Sequence, residues 1–441
     1  MQESTTDLWR NGPFVRFWTG RTVSIFGSFI TRMALPLVAI LVLEVGALQV
    51  AILRTIELGV ALVFGLFAGV WVDRLRRRPI LIWSDLLSAA LLSTVPLAFA
   101  LGLLGLPQLL VVAGVAAVLA TFADAADNAY LPSLVERRHL VRANAALEAS
   151  GSAAEFTGFG LSGFLVQLLT APIAVLIDAA TFLFSAATLL TIRRGEAEPP
   201  RREQREPMLG EIAAGLRITF RDPTLRAFAM AQMAQSALWG IFGATWILFA
   251  VRSLELGAGA IGLIAGIGGL GSLVGAVIAD RSVRRWGVGR VSIVAMLVAA
   301  AGNLLVPLAP AGAPVVAALF LCTQQLVGDS AFTLYDINET SVRQAFVHDR
   351  ALGRVASSFR VAAVSAQLVA TIAGGLLAEA IGLRGALFVA PLGAALAAVL
   401  LWRSPVRSLR ELPAEPLHGP APLLAAAAAA AEASRDQPVG G

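Results

Sequence analysis

The chain has 441 residues, of which 57% are hydrophobic and only 14% charged, and its mean hydropathy is +0.77, a composition that excludes a water-soluble globular fold. Its net charge of +5 arises from 34 basic residues against 29 acidic ones, and every basic residue is arginine. One cysteine, Cys322, and three histidines, His139, His348 and His418, exclude a disulfide framework, a cysteine-based metal site and a histidine cluster.

Residues 1–16 are expected to form a cytoplasmic N-terminus; 1–12 are polar and carry no short apolar core followed by a small-residue cleavage site, so the first apolar segment is expected to act as an uncleaved anchor. Apolar windows follow at 17–42, 48–72, 80–104, 108–130, 143–168, 172–192, 225–250, 260–279, 290–309, 314–336, 355–380 and 385–402. A crossing helix needs about 20 apolar residues. Unpaired backbone groups in hydrocarbon cost several kcal/mol each, so such windows are predicted to be helices. The expected fold class is an all-α integral membrane protein of twelve transmembrane helices. A polar connector at 193–224, holding Pro199, Pro200 and Pro207, divides the windows six and six and predicts two bundles, 17–192 and 225–402. The tail 403–441 is rich in Pro, Glu and Ala. Its apolar run Leu423–Ala431 is too short to span, so a disordered cytoplasmic extension is expected.

Alternate connectors fall on opposite sides of the membrane. One set holds Arg74, Arg76, Arg77, Arg78, Arg137, Arg138 and Arg142, then Arg193, Arg194, Arg201, Arg202 and Arg205, and later Arg284, Arg285, Arg290, Arg343, Arg350, Arg354, Arg403, Arg407 and Arg410; the other offers Arg252 and Arg384. By the positive-inside rule the arginine-rich side is cytoplasmic, which places both termini inside the cell and the protein in the cell membrane. The basic charge thus encodes topology, and no nucleic-acid partner is expected.

An internal repeat supports two halves. Gly69-Val-Trp-Val-Asp73-Arg74-Leu-Arg-Arg77-Arg78 follows the second window, and Ala276-Val-Ile-Ala-Asp280-Arg281-Ser-Val-Arg284-Arg285 follows the eighth. The first copy resembles the signature Gly-x-Leu-Ala-Asp-Arg-x-Gly-Arg-Lys of the major facilitator superfamily, with Trp71 at the Leu position and Arg76 at the second Gly. Ala34-Leu35-Pro36, Ala129-Tyr130-Leu131-Pro132 and Asp178-Ala-Ala-Thr-Phe182 are similar to phrases of its efflux branch, which includes enterobactin exporters and macrolide and multidrug efflux pumps. The resemblance spans 17–402 and implies two pseudo-symmetric six-helix bundles. It also implies a cytoplasmic latch in which Asp73 meets the start of the eleventh helix near Arg354, while Asp280 meets the fifth near Arg142. In the fifth helix Ala154-x-x-x-Gly158-Phe159-x-x-Ser162-Gly163 resembles a worn antiporter motif, Phe159 standing where a proline is usual; the fourth helix lacks the arginine that family members use in proton handling.

Charges at membrane depth need a partner or an aqueous cavity. Arg32 ends a stripe with Arg21, Ser24 and Ser28 in the first helix, and Glu155 lies on a stripe with Glu148, Ser152, Phe159 and Ser162 in the fifth, so Arg32 and Glu155 are candidates to face each other across a cavity. Glu155 can carry a proton between states or form a permanent salt bridge. Glu57, three residues from Arg54, is expected to pair on its own helix, and Asp178 is placed towards the outer, wetter end of the sixth. Asp85, Asp124 and Asp127 are expected to meet loop arginines. In the second half Gln232, Gln235, Trp239, Gln324, Gln325 and Asp329, with Ser28 from the first, are candidates to line an amphipathic pocket suited to a lipophilic small molecule. The formal fingerprint Gly266-x-Gly268-x-x-Gly271 lacks a preceding strand and reads as a small-residue packing face; no Walker pattern occurs. The resulting expectation is a monomeric, cofactor-free secondary transporter that exports a drug, macrolide-like compound or siderophore against protons. Import, uniport or lipid flipping by the same fold, and a transporter-like receptor, remain open alternatives. No catalytic constellation of a membrane enzyme is visible.

Overall fold

The structure is a computed structural model and describes residues 6–72, 75–136, 139–192 and 208–413. Every regular element in these segments is helical. The first half contains α1 (Gly12–Leu41), α2 (Ala47–Val72), α3 (Arg77–Ala100), α4 (Leu106–Leu134), α5 (Leu140–Leu169) and α6 (Ala171–Thr191). The second contains α7 (Pro223–Arg252), α8 (Ala258–Trp286), α9 (Val288–Asn303, continued by Leu305–Leu308) and α10 (Pro314–Phe346). The helix Asp349–Val389 is broken at Gly382, φ 79, into α11 (349–381) and the start of α12, which resumes after Pro391 as Leu392–Trp402. Ten helices among the described residues are long and apolar enough to cross a membrane. The 30-residue α5, with its extra charges, and the composite α12 complete twelve passes.

Local chemistry sets several ends. Asn11 caps α1 by accepting from the Phe14 N–H, and its own amide donates to the Leu134 carbonyl of α4, tying two ends of one bundle. Asp222 caps α7 by accepting from the Thr224 and Leu225 N–H groups at 2.8 Å, with Pro223 in the first turn, where its missing N–H costs nothing. The connector is not wholly loop: Met208–Arg221 forms an amphipathic helix that packs on α11, with Gly215 lying against the Arg354 carbonyl. Its signal lay in apolar Leu209, Ile212 and Leu216 recurring at helical spacing between Glu211, Arg217 and Arg221, which the charge-rich stretch before Pro207 masked.

Within the first bundle α1 packs on α5 and α6, α3 on α4 and α6, and α2 on α4; within the second α7 packs on α11 and α12, α8 on α10, and α9 on α10 and α12. Two seams join the bundles, α5 with α8 and α2 with α11. The two exchange when the halves are exchanged. Side chains such as Leu103, Val111, Leu168, Leu263 and Val277 are exposed on the outer surface, as a hydrocarbon solvent demands. The segment after α12 departs from the expected disorder. Residues 403–413 are ordered, with a turn at Pro405–Ser408 whose Val406 is fully buried against α9.

Candidate functional site: a cavity between the bundles

Among the described residues the seams are tightest at the arginine-poor ends of the helices. A Cβ on Gly163 of α5 would lie 2.3 Å from the Ala258 carbonyl and 2.7 Å from the Gly262 Cα of α8, so backbones touch there as no larger residue would allow. Gly375 of α11 meets Ala51 and Leu48 of α2 in the same way. Polar contacts add to the closure: the Arg252 guanidinium donates to the Val45 carbonyl at 3.0 Å, and the Gly259 N–H donates to the Gln167 Oε1 at 3.2 Å. Below this closure the bundles diverge around a cavity of ≈ 1110 Å³.

Its walls combine aromatic rings with charge at mid-membrane depth. Trp239, Phe242 and Trp246 recur at helical spacing along α7; Phe242 and Trp246 stack with centroids 5.9 Å apart, and Trp239 meets Phe332 of α10 edge-on at 5.8 Å. Phe156 and Phe159 face them from α5, and Phe159 also contacts Phe29 of α1 at 5.1 Å. Arg32, Glu155 and Asp329 all line this space, and among the described residues none makes an ion pair or hydrogen bond. Arg32 instead sits over the Phe29 ring, 5.0 Å from its centroid. Asp329 and Gln325 occupy the room left by Gly268 of α8, and Asp329 shares the cavity wall with Glu155. Arg54 and Glu57 contribute a paired charge, 2.8 Å apart on α2. Such a surface can hold a bulky, partly apolar molecule by ring contact and orient it by charge.

Residues 17–335 match the pattern of the Major Facilitator Superfamily. The chain belongs to that superfamily. It is a multi-pass membrane protein with the superfamily's fold. It is 28% identical over 236 residues to the multidrug efflux pump Tap of Mycolicibacterium fortuitum, an alignment covering 52% of this chain and 58% of that protein, so it matches little more than half of that relative's length. The Tap pump of Mycobacterium tuberculosis H37Rv is also 28% identical, over 285 residues covering 62% of this chain and 67% of the pump. Among solved structures, a bacterial homologue of the iron transporter ferroportin in an inward-facing state superposes with a TM-score of 0.71 at 19% identity, covering 91% of this chain and 99% of that one. The nucleoside transporter NupG gives 0.70 at 12% identity, covering 89% and 98%.

The structure redistributes several residues that the sequence placed in the transport path. Arg32 and Glu155 both reach the cavity but do not pair. The stripe leading to Arg32 changes neighbours with depth: Arg21 forms ion pairs with Asp124, at 2.7 Å, and Asp127 of α4, while Ser24 is buried and Ser28 is not part of the cavity wall. Asp124 and Asp127 therefore meet α1 and not loop arginines, with Asp85 buried beside them. Asp178 is not near water; it is 1% exposed between α1 and α6, accepts from the Thr181 hydroxyl and packs against Gly27. Gln324 is fully buried and turns to Asn303 of α9 at 3.4 Å, and Gln232 and Gln235 also lie off the cavity wall, leaving Trp239, Gln325 and Asp329 as the lining members of that group. Phe242 and Trp246 join Trp239 on the wall without having been sequence candidates, although their offsets of three and seven from it mark one helix face.

The worn antiporter motif divides by face. Gly158 packs on Phe29, Ser162 donates to the Ile30 carbonyl of α1 at 3.1 Å, Phe159 looks into the cavity, and Gly163 forms the seam with α8. The glycines of α8 form the packing surface expected of them, Gly262 and Gly266 against α5, Gly271 and Gly275 against α10. Of the superfamily's latch, Gly69 lies in the last turn of α2, whereas Asp73 and Arg74 lie outside the described residues. Arg77 opens α3, and Arg78 donates to the Leu189 and Leu190 carbonyls at the end of α6, a bond within its own bundle. In the repeat, Asp280 does not reach Arg142; it pairs with Arg284 one turn along its own exposed helix end. Arg281 and Arg142 are exposed, Arg285 lies over Trp286, and the Arg354 backbone receives the connector helix. One further symmetry is legible once the helices are placed. Asp336 and Glu339 stand in α10 as Asp124 and Asp127 stand in α4, at equal distances before Arg354 and Arg142, but Glu339 takes its arginine, Arg343, from its own helix at 3.0 Å.

Proposed function

We propose that this transporter is a proton-driven exporter of a hydrophobic or amphipathic small molecule, a drug, macrolide-like compound or siderophore, working as a cofactor-free monomer by alternating access in the cell membrane. The observation that carries this reading is the ≈ 1110 Å³ cavity, in which five aromatic side chains surround Arg32, Glu155 and Asp329, all unpaired at mid-membrane depth among the described residues. Keeping three charges there costs at least a few kcal/mol each unless water, ligand or proton compensates them. Glu155 and Asp329 supply proton acceptors facing each other, and the rings supply apolar contact without the dense hydrogen bonding that a sugar would require. The likeness to Tap multidrug efflux pumps supports export as the direction. With the arginine-rich face and both termini cytoplasmic, the seams of Gly163 with Gly262 and Gly375 with Ala51 form the closed outer gate, and rocking of the bundles about the cavity exposes it in turn.

The test is transport of a panel of lipophilic compounds and siderophores by proteoliposomes under an imposed proton gradient, for the natural protein, Glu155→Gln and Asp329→Asn. Accumulation that follows the gradient, collapses with an ionophore and is lost in either variant is the expected result. Transport indifferent to the gradient for every compound refutes proton antiport in favour of uniport, import or lipid movement.

A further inference from the structure

We infer that a second site, on the outside of the second bundle at its arginine-rich end, binds the headgroup of an anionic phospholipid. The site is a groove of ≈ 570 Å³ between the end of α8, the start of α9 and the chain that follows α12, remote from the central cavity. It is built by backbone. After α8 the chain turns at Gly287, φ 84, and the N–H groups of Val288 and Gly289 donate to the carbonyls of Arg410, at 3.3 Å, and Leu409, at 2.9 Å. Residue 289 must be glycine, because a Cβ there would stand 1.7 Å from the Val406 carbonyl. This pairing, with Val406 buried beneath it, fixes Arg407 and Arg410 opposite Arg290.

Those three guanidiniums are exposed, and among the described residues none has an ion pair or hydrogen bond. Among the described residues no carboxylate lines the groove, and Asp280 of α8 is already paired with Arg284. Three like charges held together by a folded backbone repel unless an anion joins them, and the planar fork of arginine matches the oxygens of a phosphate. Topology alone would require arginines on this side but would not require a groove that gathers three. The remaining walls identify the source of the phosphate. Trp286 and Trp402, 53% and 55% exposed, flank the groove as interfacial indoles, and Val294, 56% exposed, continues its floor onto the hydrocarbon-facing surface of α9. A soluble phosphate gains nothing from these apolar walls; a lipid places its headgroup among the arginines and its chains along Ile293 and Val294. The inference stands independently of what the cavity transports.

Delipidated protein in phosphatidylcholine nanodiscs is titrated with phosphatidylglycerol carrying brominated chains, reading tryptophan quenching and melting temperature, for the natural protein and for R290Q/R407Q/R410Q. Each arginine contributes about a fivefold factor to anionic-lipid binding, so the triple variant should bind on the order of a hundredfold more weakly while melting normally in phosphatidylcholine. Should the triple variant fail to fold, R407Q alone should bind about fivefold more weakly. Equal affinity for phosphatidylglycerol and phosphatidylcholine, undiminished binding by the variants, or equal stabilisation by glycerol 3-phosphate would overturn the proposal.

Discussion

Replacing Gly163 by alanine should open the arginine-poor end of the molecule. The added Cβ would lie 2.3 Å from the Ala258 carbonyl and 2.7 Å from the Gly262 Cα, and both are backbone atoms that no rotamer change can move aside. Restoring ordinary contact requires α5 and α8 to part by about 1 Å, an overpacking that costs about 1–3 kcal/mol. The cost applies only where the bundles are closed here; in the opposite state the methyl meets nothing. The ratio of closed to open molecules should therefore fall by about 5- to 150-fold, since each 1.4 kcal/mol is a factor of ten. Electron–electron distance measurements between spin labels at Leu103 and Val315 read this directly. Both positions are exposed, 74% and 75%, at the arginine-poor ends of opposite bundles. With Cys322 replaced by serine, Gly163→Ala should enlarge the long-distance population. An unchanged distribution in a normally melting variant would refute the assignment of this seam as the gate.

Arg21→Gln should lower stability by about 1–3 kcal/mol, because it leaves the Asp127 carboxylate, 14% exposed, without its arginine while Asp124 stays open to solvent; thermal melting in detergent measures it, and Arg21→Gln/Asp127→Asn should melt higher than Arg21→Gln alone. Arg78→Ala removes two charge-assisted bonds to the last carbonyls of α6 and should cost about 1–3 kcal/mol in the same assay. Gly268→Val should abolish substrate binding by the cavity while leaving the melting temperature nearly unchanged, since its side chain takes the space of the Asp329 carboxylate and the Gln325 amide; ligand titration by calorimetry distinguishes this from unfolding.

The sequence carried most of the architecture because the bilayer imposes a simple rule on it: long apolar windows must be helices, and arginines mark one side of the membrane. The position of charge along a window was also readable, which is why Arg32, Glu155 and Asp329 emerged as candidates. What could not be read was which neighbour each polar residue meets. Arg21 and Arg32 share one face of α1, yet α4 closes over the first and nothing over the second, a difference set by the tilt of helices far apart in sequence. Gln324 and Gln325 are adjacent but point to α9 and to the cavity, a distinction of about 100° that an uncertain helix register hides. Asp280 had an exposed arginine one turn away, and such a local partner outcompetes the distant Arg142 that the repeat pattern pointed to. The ordered chain beyond α12 was not legible because its anchor is backbone pairing, which leaves no side-chain signature.

The placement of tryptophan gives this protein its own optical readout. Of its eight indoles, Trp239 and Trp246 line the cavity, whereas Trp286 and Trp402 flank the outer groove. Occupancy of the interior by an absorbing compound and contact with a quencher carried on lipid chains therefore darken different fluorophores. Replacing Trp239 and Trp246 by phenylalanine would leave emission that follows the surrounding bilayer, and replacing the other six, Trp9, Trp18, Trp71, Trp83, Trp286 and Trp402, would leave emission that follows the cargo, so the two events can be timed separately in one membrane without attaching a dye.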